Sequence, residues 1–363
     1  MRVTRVSARD FRNLERLEAP LAEAVTVVHG PNGAGKTNLL EALYFGCTAR
    51  SCRTSNEREL VRFGTSVARV EVEVEAEDGL HRLEVGLAPG ESKRVKVDGA
   101  PVAGSAGSDV RPLVSVFMPD RLDLVKGAPA LRRAHLDQLV AALWPARAAN
   151  RSAYTRALSQ RNALIARVRG GASPSLLDTW DAELARAGTA LMADRAEAGA
   201  LVAPRFGDRA ADLGLPEDAT LAYRPRSRAG DADTLREELA ARREDDIARG
   251  FTGHGPHRDD VVLAHAAHPL RAYGSQGQQR LGLLALLFAE RDVLLDARGL
   301  PPLMLLDDVM SELDSARRER LVELLAAGGQ AVITTTDLDH VPGDVGAGAL
   351  AVMSGRLAQE PVA

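Results

Sequence analysis

One octapeptide, Gly30-Pro31-Asn32-Gly33-Ala34-Gly35-Lys36-Thr37, restricts what this chain can become more than any other stretch. The run Val25-Thr26-Val27-Val28 before it reads as a short buried strand, and Thr37 to Leu43 after it reads as a helix. Glycines at 30, 33 and 35 let the backbone curl with successive N–H groups aimed inward at an anion. The first turn of the helix adds its own unpaired N–H groups and its positive dipole end. In this strand–loop–helix context the pattern is a phosphate-binding loop, in which Gly30 to Thr37 line a nucleotide. Lys36 reaches the β- and γ-phosphates and the Thr37 hydroxyl completes a Mg²⁺ site. The competing reading, a glycine-rich turn that happens to precede a helix, is weakened by the strand and helix on either side.

The loop needs a parallel sheet behind it, so the rest of the chain is read for strands. From residue 1 to 115 the pattern is strand-rich. Period-two runs at Val70–Glu75, His81–Val85 and Lys93–Val97, punctuated by Asp78-Gly79 and Asp98-Gly99, predict an antiparallel sheet with one polar face. From 116 to 251 the period becomes helical, with loops at Gly170–Pro174 and around Tyr223–Gly230 and a stripe of Tyr154, Leu158, Ile165 and Val168. From 252 onward α/β character returns. The expected organisation is a discontinuous α/β lobe of residues 1–115 and 252–363, interrupted by a helical lobe of 116–251.

A second cluster supports nucleotide chemistry. Leu303-Met304-Leu305-Leu306 reads as a buried strand ending in Asp307-Asp308. A metal–nucleotide site requires such an acidic pair opposite the phosphate loop: Asp307 to hold the metal through its water shell, and Asp308 to orient or deprotonate a water. An acidic helix cap is the alternative. Lys36 and Asp308 are therefore the candidate catalytic residues, with Thr37 and Asp307 as candidate metal ligands. A third cluster, Ser275-Gln276-Gly277-Gln278, places a hydroxyl and a glycine at the start of a long apolar helix, where an anion is favoured. It reads as a second phosphate reader or as a helix cap.

Composition enters where partners are concerned. The net charge is −4, so the whole molecule is not drawn indiscriminately to nucleic acid. Yet between Arg121 and Arg169 ten basic residues face two acidic ones, a candidate phosphate-contacting surface or an arginine-rich solvated helix face. The longest apolar run, Leu281–Ala289, is too short for a membrane span, and the N-terminus lacks a signal-peptide core. Two cysteines, Cys47 and Cys52, build no disulfide framework, so a cytoplasmic location is expected.

The clusters together resemble ATPases of the ABC type, in which a Ser-Gly-Gln signature before a helix binds the γ-phosphate held by a second subunit. Asp307–Asp314, DDVMSELD, resembles that superfamily's metal-binding strand end and the loop after it, with Asp308 at the catalytic carboxylate and Asp314 at the dimer contact. Over nearly its whole length the chain is similar to the RecF family of bacterial recombination mediators. FRNL, GPNGAGKTNLLEALY, FMPDRLDLVKGAPALRRAHLD, GPHRDD, YGSQGQQR and LLDDVMSELD carry the resemblance in that order. Ser51-Cys52-Arg53-Thr54 departs from the family's S-F-R-T at Cys52.

The resemblance implies a P-loop fold of the ABC-ATPase head type with an antiparallel β subdomain and an inserted, mostly helical lobe. It implies Mg²⁺ and ATP as cofactors, an ATP-dependent homodimer in which Ser275 to Gln278 grip the partner's γ-phosphate, and binding to single-stranded gaps, their junctions with duplex, or duplex DNA. Work with RecR and RecO to place RecA, replication and repair, and support of SOS induction are implied with it. Weak, DNA-stimulated hydrolysis is expected: Asp308 stands where transporter ATPases carry Glu, Thr336 precedes Asp337 where they carry a switch His, and no Gln lies between Val116 and Arg121. Those departures weigh against an ABC-type ATPase coupled to a membrane partner. His254, His257 and Arg258 read equally as structural residues or as contacts to DNA or nucleotide.

Overall fold

The structure, a computed structural model, describes residues 1–102, 110–215, 218–343 and 348–358, with Pro119 and Asp120 described in backbone only. They divide into two compact units, Met1–Arg121 with Leu294–Ala363, and Leu122–Val293.

The first unit opens with the hairpin β1 (Arg2–Phe11) and β2 (Leu14–Pro20), then β3 (Val25–His29) and α1 (Lys36–Thr48). After these come β4 (Ala68–Ala76), β5 (Gly79–Leu87), β6 (Arg94–Val97), β7 (Ala100–Pro101) and β8 (Val114–Phe117). In order β2-β1-β4-β5-β6-β7 they form the expected antiparallel sheet. Its inner face is Val70, Val72, Val74, Leu83 and Val85, all buried, while the alternating glutamates and arginines face out. Asp98 and Gly99 both take positive φ, 51° and 79°, the backbone that a two-residue turn between right-twisted strands requires.

The second unit contains α2 (Asp123–Lys126), α3 (Pro129–Leu143), α4 (Ala148–Arg169), α5 (Asp178–Asp212), β9 (Thr220–Arg224), α6 (Ala232–Ala241) and α7 (Arg243–Arg249). It continues through β10 (Asp260–His265), β11 (His268–Pro269), α8 (Leu270–Tyr273) and most of α9 (Gln276–Arg298). The chain then re-enters the first unit with β12 (Leu303–Leu306), α10 (Ser315–Ala326), β13 (Ala331–Thr335), β14 (Ala349–Met353) and β15 (Arg356–Leu357).

These late strands complete a second sheet in order β15-β14-β3-β13-β12-β8, parallel from β14 to β8. Strands from both ends of the sequence therefore share one sheet. Helix α1 packs against β1, β4 and β5 of the first sheet and against β8 and β13 of the second. It accordingly buries residues all round: Leu39, Leu40, Leu43 and Phe45 are fully buried, each contributing roughly 1.5–3 kcal/mol. Gly46 admits this closeness, since a Cβ there would stand 2.4 Å from Val72 Cγ2.

Residues 252–293, expected on the sequence with the α/β lobe, cluster instead with residues 122–251. The reason is β9, whose last residues Tyr223 and Arg224 fall where the loop Tyr223–Gly230 was expected: it pairs antiparallel with β10, Asp260 opposite Arg224 and Ala264 opposite Thr220. Charge fixes the same arrangement, because Arg132 makes a bidentate contact to Asp260 at 2.8 and 3.0 Å, and Arg195 reaches the fully buried Asp259 at 3.1 Å. Tyr154, Ile165 and Val168 of the expected stripe are buried, with Leu158 packed beside Tyr154.

Candidate functional site

The carboxyl ends of β3, β12 and β13 converge, and the site is built there. Gly30, Gly33 and Gly35 take φ of 150°, 78° and 113°, which side chains resist. Two of the three are also sterically required. A Cβ on Gly30 would sit 2.2 Å from Val352 O, and one on Gly35 2.9 Å from Asn13 Oδ1. Pro31, Asn32 and Gly33 form the exposed rim of the loop, while Ala34, Gly35 and Lys36 are buried at its root.

The FRNL segment holds this loop from behind. Asn13 donates Nδ2 to Gly33 O at 3.2 Å and accepts from Asn38 Nδ2 at 2.8 Å. Arg12 makes a bidentate contact of 2.9 and 3.0 Å to Glu41, which is fully buried on α1 and also accepts from Ser51 Oγ and Arg53. A buried carboxylate without such partners costs several kcal/mol, so the pairing ties α1 to the FRNL segment. The β14–β15 turn closes the other side, Gly355 N donating to Ala34 O at 2.7 Å. Cys52, at the departure from S-F-R-T, lies against Met118 Sδ at 3.8 Å, its thiol pushed up to about 12 by burial.

Lys36 Nζ donates to Gly30 O at 2.7 Å and Pro31 O at 3.1 Å. Burial lowers its pKa, and Asp308 and Asp307 work against that. Thr37 Oγ1 stands 2.9 Å from both carboxylate oxygens of Asp307. Burial raises the pKa of Asp307, and its hydrogen bonds to Thr334 and Thr37 oppose the rise. Asp308 is held in left-handed backbone, φ 47°, and its Oδ1 is buried without a hydrogen-bond partner among the described residues. Left-handed backbone at a non-glycine residue costs stability on the order of 1–3 kcal/mol, and a buried oxygen without a partner adds to that cost.

The structure thus brings Gly30–Thr37, Asp307 and Asp308 together. It adds Thr334, which sequence reading missed: its hydroxyl donates to Asp307 Oδ1 at 2.7 Å and accepts from Asp308 N at 2.9 Å. The available signal was the hydroxyl run Thr334-Thr335-Thr336 closing a buried strand. The donor set suits a hard cation and a polyphosphate: a hydroxyl, two carboxylates, an ammonium and a glycine loop that leaves N–H groups uncovered.

Ser275–Gln278 belong to the second unit. Ser275 N donates to Gln278 Oε1 at 2.8 Å and Gln278 N donates to Ser275 Oγ at 3.2 Å, a reciprocal capping box at the start of α9. Ser275, Gln276 and Gly277 are exposed. Asp314 caps α10, accepting from Arg317 N at 2.9 Å, and is exposed as well.

GPHRDD has a structural explanation within its unit. His257 donates Nε2 to Thr252 O at 2.9 Å and accepts from Tyr154 OH at 2.7 Å; His254 pairs with Glu238, and the Arg258 guanidinium lies 5.4 Å from the Phe251 ring centre. The arginine-rich segment is also less available than its composition suggests. Arg161 is fully buried between Asp181 and Asp246, Arg132 is held by Asp260, Arg147 by Asp194 and Glu197, and Arg151 by Asp137. Lys126, Arg156, Arg167 and Arg169 are exposed and form no ion pair among the described residues.

No helix among the described residues is long and apolar enough to cross a membrane. Residues 2–343 match the RecF/RecN/SMC N terminal domain family. The chain is similar to the DNA replication and repair protein RecF of Streptomyces avermitilis, 40% identical over 366 residues that cover 94% of this chain and 95% of that one. The protein of the same name from Myxococcus xanthus is 39% identical over 354 residues, covering 94% and 93%. Among solved structures, the recombination mediator protein RecF-ATP in the RecFOR pathway superposes with a TM-score of 0.87 at 27% identity, covering 99% of this chain and 98% of that one. An Smc head bound to the C-winged helix domain of ScpA shares the fold, with a TM-score of 0.58 at 14% identity over 98% and 96% of the two chains. The fold is that of the RecF/SMC ATPase head, with antiparallel and parallel sheets and a mostly helical lobe, and the chain belongs to the RecF family.

Proposed function

We propose that this protein is an ATP-dependent, DNA-binding recombination mediator that dimerises on ATP. The observation that carries the nucleotide half is the meeting of Thr37, Thr334 and Asp307 beside Lys36 and Asp308. Thr37 and Asp307 would hold Mg²⁺, which neutralises phosphate oxygens when bound. Gly30 to Thr37 cradle the phosphates through backbone N–H groups, and Lys36 exchanges its bonds to Gly30 O and Pro31 O for β- and γ-phosphate oxygens. Asp308, its Oδ1 unpaired, orients the attacking water and takes its proton. With a carboxylate one methylene shorter than Glu, hydrolysis is slow and DNA-stimulated, so that nucleotide times the dimer.

Ser275, Gln276 and Gly277 are exposed and Gln278 is half-buried behind them, which leaves this surface open to the partner copy's γ-phosphate. The relatives' name and the RecFOR description of the solved structure support the rest of the reading. The closed dimer would hold single-stranded gaps, their junctions with duplex, or duplex DNA, and act in the cytoplasm with RecR and RecO to place RecA in repair, replication restart and SOS induction.

The test is the solution mass by light scattering with Mg-ATP, with Mg-ADP and without nucleotide, for the protein, Lys36→Met and Asp308→Asn. The expected result is a doubling with ATP only, lost in Lys36→Met and longer-lived in Asp308→Asn. A constant monomer would overturn the dimer mechanism, and failure of wild-type protein to bind gapped DNA would overturn the mediator reading.

A further inference from the structure

Across the outer face of the antiparallel sheet, one cross-strand row contains almost nothing but arginine. Arg16 on β2 is paired with Arg9 on β1, Arg9 with Arg69 on β4, Arg69 with Gly86 on β5, and Gly86 with Arg94 on β6. Directly opposed residues share a face, so these side chains stand in line over five strands, a row about 19 Å long.

Like charges directly opposite each other destabilise a sheet, and the fold gains nothing from this arrangement. Neighbouring carboxylates compensate little. Arg16 reaches Glu18 at 3.0 Å, Arg94 reaches Glu91 at 3.3 Å, Arg9 reaches Asp10 only at 3.8 Å, and Arg69 has no ion-pair partner among the described residues. Arg9, Arg16 and Arg94 remain 70%, 77% and 79% exposed in their side chains, where such pairs are weak and water-screened. In the next row inward, Glu71 already pairs with Arg82 at 3.0 Å and Glu84 lies opposite Lys96. Gly86 interrupts the arginines without a steric need: a Cβ there would meet nothing closer than Arg94 at 3.9 Å. It keeps the backbone open in the middle of the row.

A second feature flanks this row at Arg9 and Arg69. Phe63 is fully exposed, 103%, at the corner of a turn that Thr65 N closes onto Arg62 O at 3.1 Å with Gly64 at φ 86°. The turn is tied to the sheet by Arg62 N donating to Asp10 O at 2.8 Å, next to Arg9. Gly64–Val67 form one wall of a groove that Arg9 and Arg69 also line. A lone exposed aromatic is ordinary, but one presented by a fixed turn beside a row of exposed, weakly paired arginines combines the two elements of a single-strand binder: charge along the backbone and a ring for a base.

We propose that this sheet face binds single-stranded DNA, phosphates along Arg16, Arg9, Arg69 and Arg94 and an unstacked base on Phe63. The inference rests on the DNA-binding reading above and adds to it the strand type and the site. A duplex offers the arginines phosphates but offers Phe63 no free base face, so the aromatic contributes to single strands alone.

The test is fluorescence anisotropy of the full chain with a labelled oligo-dT strand and with a duplex of equal length, across a salt series, for the protein, Phe63→Ala and the triple variant Arg9→Ala/Arg69→Ala/Arg94→Ala. Phe63→Ala is expected to weaken oligo-dT binding about tenfold and leave duplex binding unchanged. The triple variant should lower the slope of log affinity against log salt by about 2 for the single strand. All four residues are exposed, and an unchanged melting temperature checks the fold. If wild type binds oligo-dT and both variants bind it equally, the sheet face is not the site and this inference fails alone. Variants that alter only the protein's solution mass would make the face a contact between copies, which also overturns it. If wild type binds no DNA at all, the inference falls together with the reading it rests on.

Discussion

Thr334 on β13 holds Asp307, the residue that follows β12, through a 2.7 Å hydrogen bond to Oδ1, and the same hydroxyl accepts the Asp308 N–H at 2.9 Å. One side chain thereby orients the carboxylate that faces Thr37 and fixes the backbone from which the Asp308 carboxylate projects. With the hydroxyl removed the Asp308 N–H loses its acceptor, and the Asp307 carboxylate keeps its contact to Thr37.

Thr334→Val keeps the shape and deletes the hydroxyl. It should cost about 1–3 kcal/mol of stability, chiefly from the Asp308 N–H left unpaired, and weaken Mg-ATP affinity about 10–100-fold. Urea unfolding and nucleotide titration of the same preparation check both. An unchanged affinity would mean that Thr37 alone positions Asp307.

Arg161→Met tests how the helical unit is held. Arg161 is fully buried, with Nε at 2.6 Å from Asp181 and Nη1 at 2.7 Å from both Asp246 and Thr252 Oγ1. Removing it leaves Asp181 with Arg243 at 2.6 Å, whereas Asp246 loses its only ion pair to a described residue and keeps the Gly253 N–H. The expected loss is about 3 kcal/mol, read as a lower urea midpoint at unchanged slope. If Arg161 served DNA instead, affinity would fall and stability would not.

His257 makes stability depend on pH. Burial first, then the nearby Arg258 and Arg133, push its pKa down from 6.5 to about 4 against the opposing Thr252 carbonyl and Asp246. The folded ring, donating to Thr252 O and accepting from Tyr154, stays neutral where the unfolded ring is already charged. As pH falls from about 6.5 to about 4 the unfolded state binds the extra proton, and stability drops by on the order of 3 kcal/mol. His257→Gln should show a shallower fall in melting temperature between pH 7 and pH 4.5, the carboxylates titrating alike in both proteins. Equal slopes would remove His257 from the account.

What could be read from the sequence was whatever is local. The loop from Gly30 to Thr37, the strand into Asp307-Asp308 and the alternating strands each announce themselves within a dozen residues, because period and turn chemistry are local properties. Thr334 was not legible, since its role follows from β13 lying between β3 and β12. The placement of 252–293 turned on Thr220–Arg224 being a strand, which only its pairing with β10 reveals. Counting arginines between 121 and 169 misjudged their availability, because the acids that hold Arg161 are Asp181 and Asp246, distant in sequence. The arginine row on the sheet was invisible for the same reason: its members come from four strands, and register alone aligns them.

Ser275 poses the sharpest choice, because the capping box and a phosphate contact make use of the same hydroxyl. Its Oγ accepts from Gln278 N at 3.2 Å, and Gln278 Oε1 accepts from Ser275 N at 2.8 Å. Ser275→Ala would lose the cap, about 1 kcal/mol, and any phosphate contact together, so it separates nothing. Ser275→Asp separates them. Aspartate caps a helix as well as serine and suits the dipole, so α9 keeps its start and the melting temperature should hold. The same carboxylate set against a partner copy's γ-phosphate repels it, so the ATP-dependent doubling of mass should vanish. A Ser275→Asp protein that still doubles with Mg-ATP would leave the motif as the start of a helix and nothing more, and the dimer would have to be held elsewhere.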